Sequence, residues 1–266
     1  MSLAAYVRTY KLVYDLVMIR CWCVAACMLA ACHRSESLPP EAWTVSDYAS
    51  AGLDIAKPWT ADDHAKAQRT LAAVTRDHRE RLPRFNGVRS GAVFAKLLED
   101  PPDDMSSPVD ARLLAHLARF DALKETASLY STDALAPPPR EWIELMGHDL
   151  VQAAVLEHDA DAFIASLGPD DPKHAVRIAE QEKMSSGFAT MIVGGLLVAD
   201  QLRLAEDDRV TMLGYVTTAL PAIFPRATPE QQVQIREVIE KQVAAFPSGP
   251  LRTAAEAARR ALPPQR

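Results

Sequence analysis

Apolar residues recur at intervals of three and four through most of this chain. No stretch sustains the alternation of β-branched and polar residues that marks a strand, so the pattern predicts an all-α protein. Trp43 to Pro58 carries at most one short helix. Thr60 then reads as an N-cap, with Asp62 and Asp63 in the first turn of a helix running to about Leu82. Its apolar stripe holds Ala67, Leu71, Val74 and Leu82, with His64 and His78 on the same line, while Arg69, Arg76 and Glu80 face away. Ser90 is expected to cap a shorter helix that buries Val93, Phe94, Leu97 and Leu98. Ser107-Pro108 starts a long helix to about Tyr130, with Pro108 at its first position. Leu113, Leu117, Phe120 and Ala127 turn inward there, and Lys124 falls within that stripe.

The proline-rich segment 131–140 is the best internal boundary, either dividing the helical domain of residues 41–262 or turning the chain. After it, a helix from Pro139 to Glu157 is expected to bury Trp142, Leu145, Met146, Leu150, Ala153 and Leu156. Asp149 projects into that stripe, whereas Glu144 and His148 read as a solvated pair on the outer face. A separate short helix covers Ala160 to Leu167, and Asp171-Pro172 opens the next. Within that next helix, Gly187 to Ala199 is apolar on every face, which predicts the central, least exposed helix, with Gly194-Gly195 permitting close approach. Asp207-Asp208 opens a helix to Ile223, Thr228-Pro229-Glu230-Gln231 is a capping box for a helix to Phe246, and Pro250 opens the last one to Leu262. Consecutive helices with short connections fit an irregular antiparallel helical bundle or a short α-solenoid-like array.

The first forty residues change this picture from a fold to an address. Arg20 precedes an uncharged apolar run from Cys21 to Ala31, and a polar, proline-ended segment from His33 to Pro40 follows. Between them, Leu29-Ala30-Ala31-Cys32 resembles the lipobox of bacterial lipoproteins. The resemblance implies cleavage before Cys32, a diacylglycerol on its thiol and an acyl group on its new N-terminus, with no other cofactor expected. It also implies that His33, which is not the aspartate signalling inner-membrane retention in that family, directs the protein to the periplasmic face of the outer membrane; the inner membrane, on its periplasmic side, is the alternative. On this reading residues 1–31 are a signal peptide, residues 1–17 a start-site extension before Met18, and residues 32–40 a tether. The uncharged run is far shorter than the ~20 residues that span a bilayer, so the acyl chains would have to supply the anchor.

All four cysteines lie at or before Cys32, which leaves the following domain without a thiol, as suits an oxidising compartment. The whole chain has 29 basic and 35 acidic residues; removing Arg8, Lys11, Arg20 and Asp15 with the signal leaves 26 against 34, a net charge of −8. That balance argues against nucleic acid as a partner. Against it, the stretch from Arg69 to Arg89 carries Arg69, Arg76, Arg79, Arg81, Arg84 and Arg89 but only Asp77 and Glu80. These six arginines are the candidate surface for an acidic partner.

Candidate chemistry narrows the function further. His64 and His78 are fourteen residues apart, roughly 21 Å along a helix axis, so they cannot share a metal ion, and none is expected. The buried polar candidates are His64, His78, Lys124 and Asp149, with a bond between Lys124 and Asp149 as the ordinary explanation for the last two. No nucleophile elbow, zinc-binding helix or phosphate-cradling glycine loop is present in the sequence. The expected function is therefore a lipid-anchored, non-catalytic protein-binding lipoprotein, of the kind that neutralises an envelope-targeting toxin. An envelope assembly adaptor is one alternative, and a cell-envelope hydrolase with a carboxylate-based site is the other.

Overall fold

Short caps between amphipathic segments leave helix-on-helix packing as the way to bury apolar stripes, and the computed structural model has that architecture. It describes residues 45–76, 82–87, 90–101, 106–130, 138–168 and 170–264. The lipobox with Cys32, the tether, Arg79, Arg81, Arg89 and His78 lie outside these residues, as does the side chain of Val74. Among the described residues there are nine α-helices and no strand. They are α1 (Val45–Ser50), α2 (Ala61–Thr75), α3 (Gly91–Leu98), α4 (Val109–Leu129), α5 (Arg140–Ser166), α6 (His174–Ala199), α7 (Glu206–Ile223), α8 (Pro229–Ala245) and α9 (Pro250–Ala261). A 3-10 turn at Phe224–Arg226 joins α7 to α8.

Local chemistry starts two of these helices as expected. At α2 the Thr60 hydroxyl accepts from the backbone N–H of Asp63 at 3.2 Å, and the Asp63 carboxylate accepts from that of Thr60 at 3.0 Å. Thr228 and Gln231 repeat the arrangement at α8, at 3.3 and 3.1 Å. Ser90 differs: its hydroxyl accepts from the backbone N–H of Arg84 at 2.9 Å and so ties down the preceding loop instead of capping α3. Pro108 stands at the N-cap of α4, one position before the helix proper, and α2 closes at Thr75, short of Leu82.

α5 organises the interior. It packs against α3, α4, α6 and α7, and between Arg140 and Ala160 only His158 is exposed. The two helices expected on either side of Glu157 are one continuous helix of 27 residues. The charged run Glu157-His158-Asp159 reads as a break, yet it contains neither glycine nor proline, and tertiary partners receive two of its charges. Gly147 permits the closest crossing: a Cβ there would lie 2.0 Å from Cδ2 of the Tyr215 ring on α7.

Two cores flank α5. Tyr48, Trp59, Leu71, Phe94, Leu123 and Leu145 belong to one, where Trp59 stacks edge-on against Tyr48 with ring centroids 5.0 Å apart. On the other side Ile192, Leu196, Leu213, Val216, Leu220, Ile239 and Ala255 are buried among α6, α7, α8 and α9. The expectation that Gly187 to Ala199 forms the least exposed helix is corrected here. Gly187, Thr190 and Leu197 meet solvent, so this stretch lies on one side of α7 and α5 holds the centre. Only one glycine of its pair serves close approach: a Cβ on Gly195 would meet Val216 at 2.8 Å, whereas one on Gly194 would meet nothing within 4 Å.

α6 and α8 run parallel, with α7 between them in the chain, and glutamines fix their alignment. The Gln231 side-chain amide donates to the Ser186 carbonyl at 2.9 Å, and that of Gln242 to the Leu196 carbonyl at 2.7 Å.

Candidate functional site

The outer stripe of α2 is the first candidate surface. Arg69 and Arg76 are both exposed there, on the side opposite His64, Ala67 and Leu71, with exposed Lys66 one turn before Arg69. Neither arginine forms an ion pair with a described residue. Arg84 does not join this face. It is half-buried, with Nη1 3.7 Å from the Glu141 carboxylate on α5, whose other oxygen accepts from the backbone N–H of Phe85 at 2.7 Å. Its guanidinium is paired with α5 instead of standing with Arg69 and Arg76 on the outer stripe of α2.

The second candidate lies where α2, α4 and α5 meet. His64 is buried as expected, its ring 5.2 Å from that of Trp59. Its Nδ1 accepts from Arg119 Nη1 at 3.2 Å, which places the imidazole proton on Nε2, and that buried nitrogen has no hydrogen-bond partner. Desolvation and then the Arg119 charge lower its pKa to about 3, so it is neutral across the physiological range. Asp149 is buried too, 1% exposed, and its Oδ1 lacks a partner. Desolvation pushes its pKa up to about 7, a rise that the Lys124 charge partly offsets.

Lys124 itself is exposed, which corrects its placement among the buried residues. The inward face of α4 is Arg119, Ala122, Leu123, Thr126 and Ala127, while Leu113, Leu117 and Phe120 are only half-buried. Arg119, 2% exposed, is thus a buried charge that sequence reasoning missed, as it did Lys96, Glu141, Glu144, Glu157 and Asp159. The signal for Arg119 was there, since positions 119, 122, 123, 126, 127 and 130 follow helical spacing and are apolar or hydroxyl-bearing apart from the arginine. Loop acids offset its charge and that of a neighbour. Asp100 Oδ1 lies 3.7 Å from Arg119 Nε, and Glu99 pairs with the buried Lys96 at 2.5 Å. Glu99 and Asp100, just after α3, therefore supply counter-ions to the interior.

Further along α5 the polar groups pair off more completely. Glu144 is no surface residue: it is buried, salt-bridged to Arg140 at 2.6 Å and hydrogen-bonded by the Tyr215 hydroxyl at 2.5 Å. Arg140 reaches Asp208 on α7 at 2.7 Å as well. His148 is half-buried with its ring 5.4 Å from that of Tyr215, and desolvation lowers its pKa. His116 on α4 binds Asp159 through Nδ1. Glu157 is 1% exposed, with Arg226 Nε 3.9 Å from one carboxylate oxygen, and burial raises its pKa. The buried Ser185 hydroxyl of the facing α6 and the Arg226 charge partly offset that rise.

No cluster of three or more metal-ligating side chains occurs among the described residues, and no helix among them is long and apolar enough to cross a membrane. No protein-family model, curated protein or solved structure matches this chain.

Proposed function

We propose that this chain is a protein-binding lipoprotein of the bacterial envelope, held by acylated Cys32 at the periplasmic face of the outer membrane and presenting α2 to an acidic protein partner. The observation that carries the reading is the outer stripe of α2. Two arginines stand exposed there without a counter-ion among the described residues, in a mature chain whose net charge of −8 would otherwise repel an acidic surface. Among envelope lipoproteins, an immunity or inhibitor protein that neutralises a toxin has this requirement, and an assembly adaptor shares it. Burial supports binding over carboxylate-based hydrolysis. Asp149 and Glu157, the carboxylates with raised pKa, are each 1% exposed and stand behind any surface that a polymeric substrate would touch.

The address and the surface are tested separately. Cys32→Ser is expected to abolish incorporation of labelled fatty acid and to release the protein from the membrane fraction. Label retained by the variant would refute the anchor. For the surface, the partner is recovered from envelope extract with the wild-type protein, and its association rate is then measured. Changing Arg69, Arg76 and Arg79 together to Ala is expected to slow association about tenfold at low salt and to flatten its salt dependence. Stability should stay within about 0.5 kcal/mol, as is usual at exposed positions such as Arg69 and Arg76. An unfolded triple variant, or one that associates at the wild-type rate, would place the binding face elsewhere.

A further inference from the structure

Buried guanidinium groups ordinarily meet a carboxylate in a two-point fork, because an uncompensated charge is costly to hold away from water. Arg119 does not. Only Nη1 is engaged, by the neutral His64, while Nη2 has no partner and Nε faces Asp100 Oδ1 at 3.7 Å, beyond hydrogen-bond range. His64 Nε2 is a third buried donor without an acceptor. The other buried cation nearby, Lys96, is already taken up by Glu99 at 2.5 Å and lies 5.7 Å from the Trp59 ring centroid. The interior here therefore holds unsatisfied donors on a cationic group, and the carboxylate paired with it belongs to a loop residue whose side chain is 62% exposed, with Asp149 and Glu99 adding weaker attraction from farther off.

We propose that Arg119, oriented by His64 at Nη1, forms a receptor for a carboxylate group, whose place is approached by the chain's own Asp100 until a ligand carboxylate displaces it. Arg119 Nε and Nη2 supply the parallel donors of a bidentate contact. Asp100 retreats at small cost, since an exposed pair at that separation contributes little. A carboxylate is favoured over a phosphate because the site already faces one carboxylate and offers a single free fork, whereas a dianion would bring a second charge up against Asp149 and Asp100. This inference does not rest on the reading of α2 as a partner surface.

The intact protein, labelled with 15N-arginine and held in detergent, is titrated with sodium acetate, sodium phosphate and sodium chloride at matched ionic strength. The Nε–H resonance of Arg119, identified by its absence in Arg119→Lys, is expected to move saturably with acetate and to stay still with chloride. Asp100→Asn, a change at an exposed side chain, should lower the acetate concentration at half-saturation by about fivefold, the advantage of removing one exposed counter-ion. His64→Gln should raise it. If Arg119→Lys fails to fold, the comparison of wild type with Asp100→Asn still decides the matter. A resonance that ignores acetate in both proteins, or that follows ionic strength whichever salt is used, would overturn the proposal. Saturation by phosphate without saturation by acetate would overturn the carboxylate assignment.

Discussion

Asp149→Asn is expected to stabilise the fold by on the order of 4 kcal/mol at pH 8 and to leave it nearly unchanged at pH 4. Burial holds the Asp149 carboxyl near pKa 7 in the folded state, against an ordinary value of 3.8. The folded chain therefore binds more protons than the unfolded one between those values, so its stability falls as pH rises through that window, by about 1.4 kcal/mol per pH unit. Asn reproduces the neutral, protonated form and cannot ionise. His64 has the opposite slope. Its folded pKa of about 3 lies below the ordinary 6.5, so the stability tied to the neutral ring is present above 6.5 and lost as pH falls toward 3. Between about pH 4 and 6.5 the two slopes nearly cancel, and the Asn variant should expose the His64 slope alone. Urea unfolding of wild type and variant at pH 4, 5.5, 7 and 8 measures this directly. A stability difference independent of pH would mean that Asp149 is ionised in the folded protein.

The second large effect lies at the crossing of α5 and α7. Gly147→Ala would place a methyl group 2.0 to 2.5 Å from three carbons of the Tyr215 ring, a contact that one of the two helices must relieve. The ring cannot simply swing aside, because its hydroxyl is tied to Glu144 at 2.5 Å, and Glu144 is held in turn by Arg140. A cost of about 3 kcal/mol is expected, at the upper end for overpacking of a core. Tyr215→Ala in the same chain should recover about 2 kcal/mol of that loss, since the clash then has no second partner. If the two changes were additive in thermal or urea unfolding, contact with Tyr215 would not be what requires glycine at this position.

Helical class, the caps of α2 and α8 and most element ends were legible because they depend on local chemistry: Thr60 with Asp63, Thr228 with Gln231, prolines near helix starts. The choice of central helix was not. Gly187 to Ala199 is more apolar than anything in α5, yet small apolar residues such as Gly187 can sit at the surface at little cost. A central helix can carry carboxylates when other elements bring Arg140, Tyr215, His116 and Arg226 to meet them. Such partners lie at long sequence separation, so periodicity registers the charges as outer-face or loop residues. The same limit explains the exchange of Lys124 for Arg119: two stripes on α4 compete at similar spacing, and the packing of α2 and α5 selects the one containing Arg119. Of the candidate surface, Arg69 and Arg76 were readable from helix phase alone. Arg84 was not, because its fate depends on Glu141.

The pair of glutamines on α8 has a consequence for uniqueness. Apolar faces built from Ala, Val, Leu and Ile are nearly self-similar under a slide of one turn, about 5.4 Å, so hydrophobic contact alone distinguishes neighbouring alignments of α6 and α8 poorly. Gln231 and Gln242 are eleven residues apart, and the carbonyls of Ser186 and Leu196 that receive them are ten apart. Both amides find their acceptors together in this alignment, and a slip that left the buried Gln242 amide without one would cost about 1 to 3 kcal/mol. Gln231 also closes the cap of its own helix through its carbonyl oxygen, so one side chain both starts α8 and sets where along α6 it comes to rest.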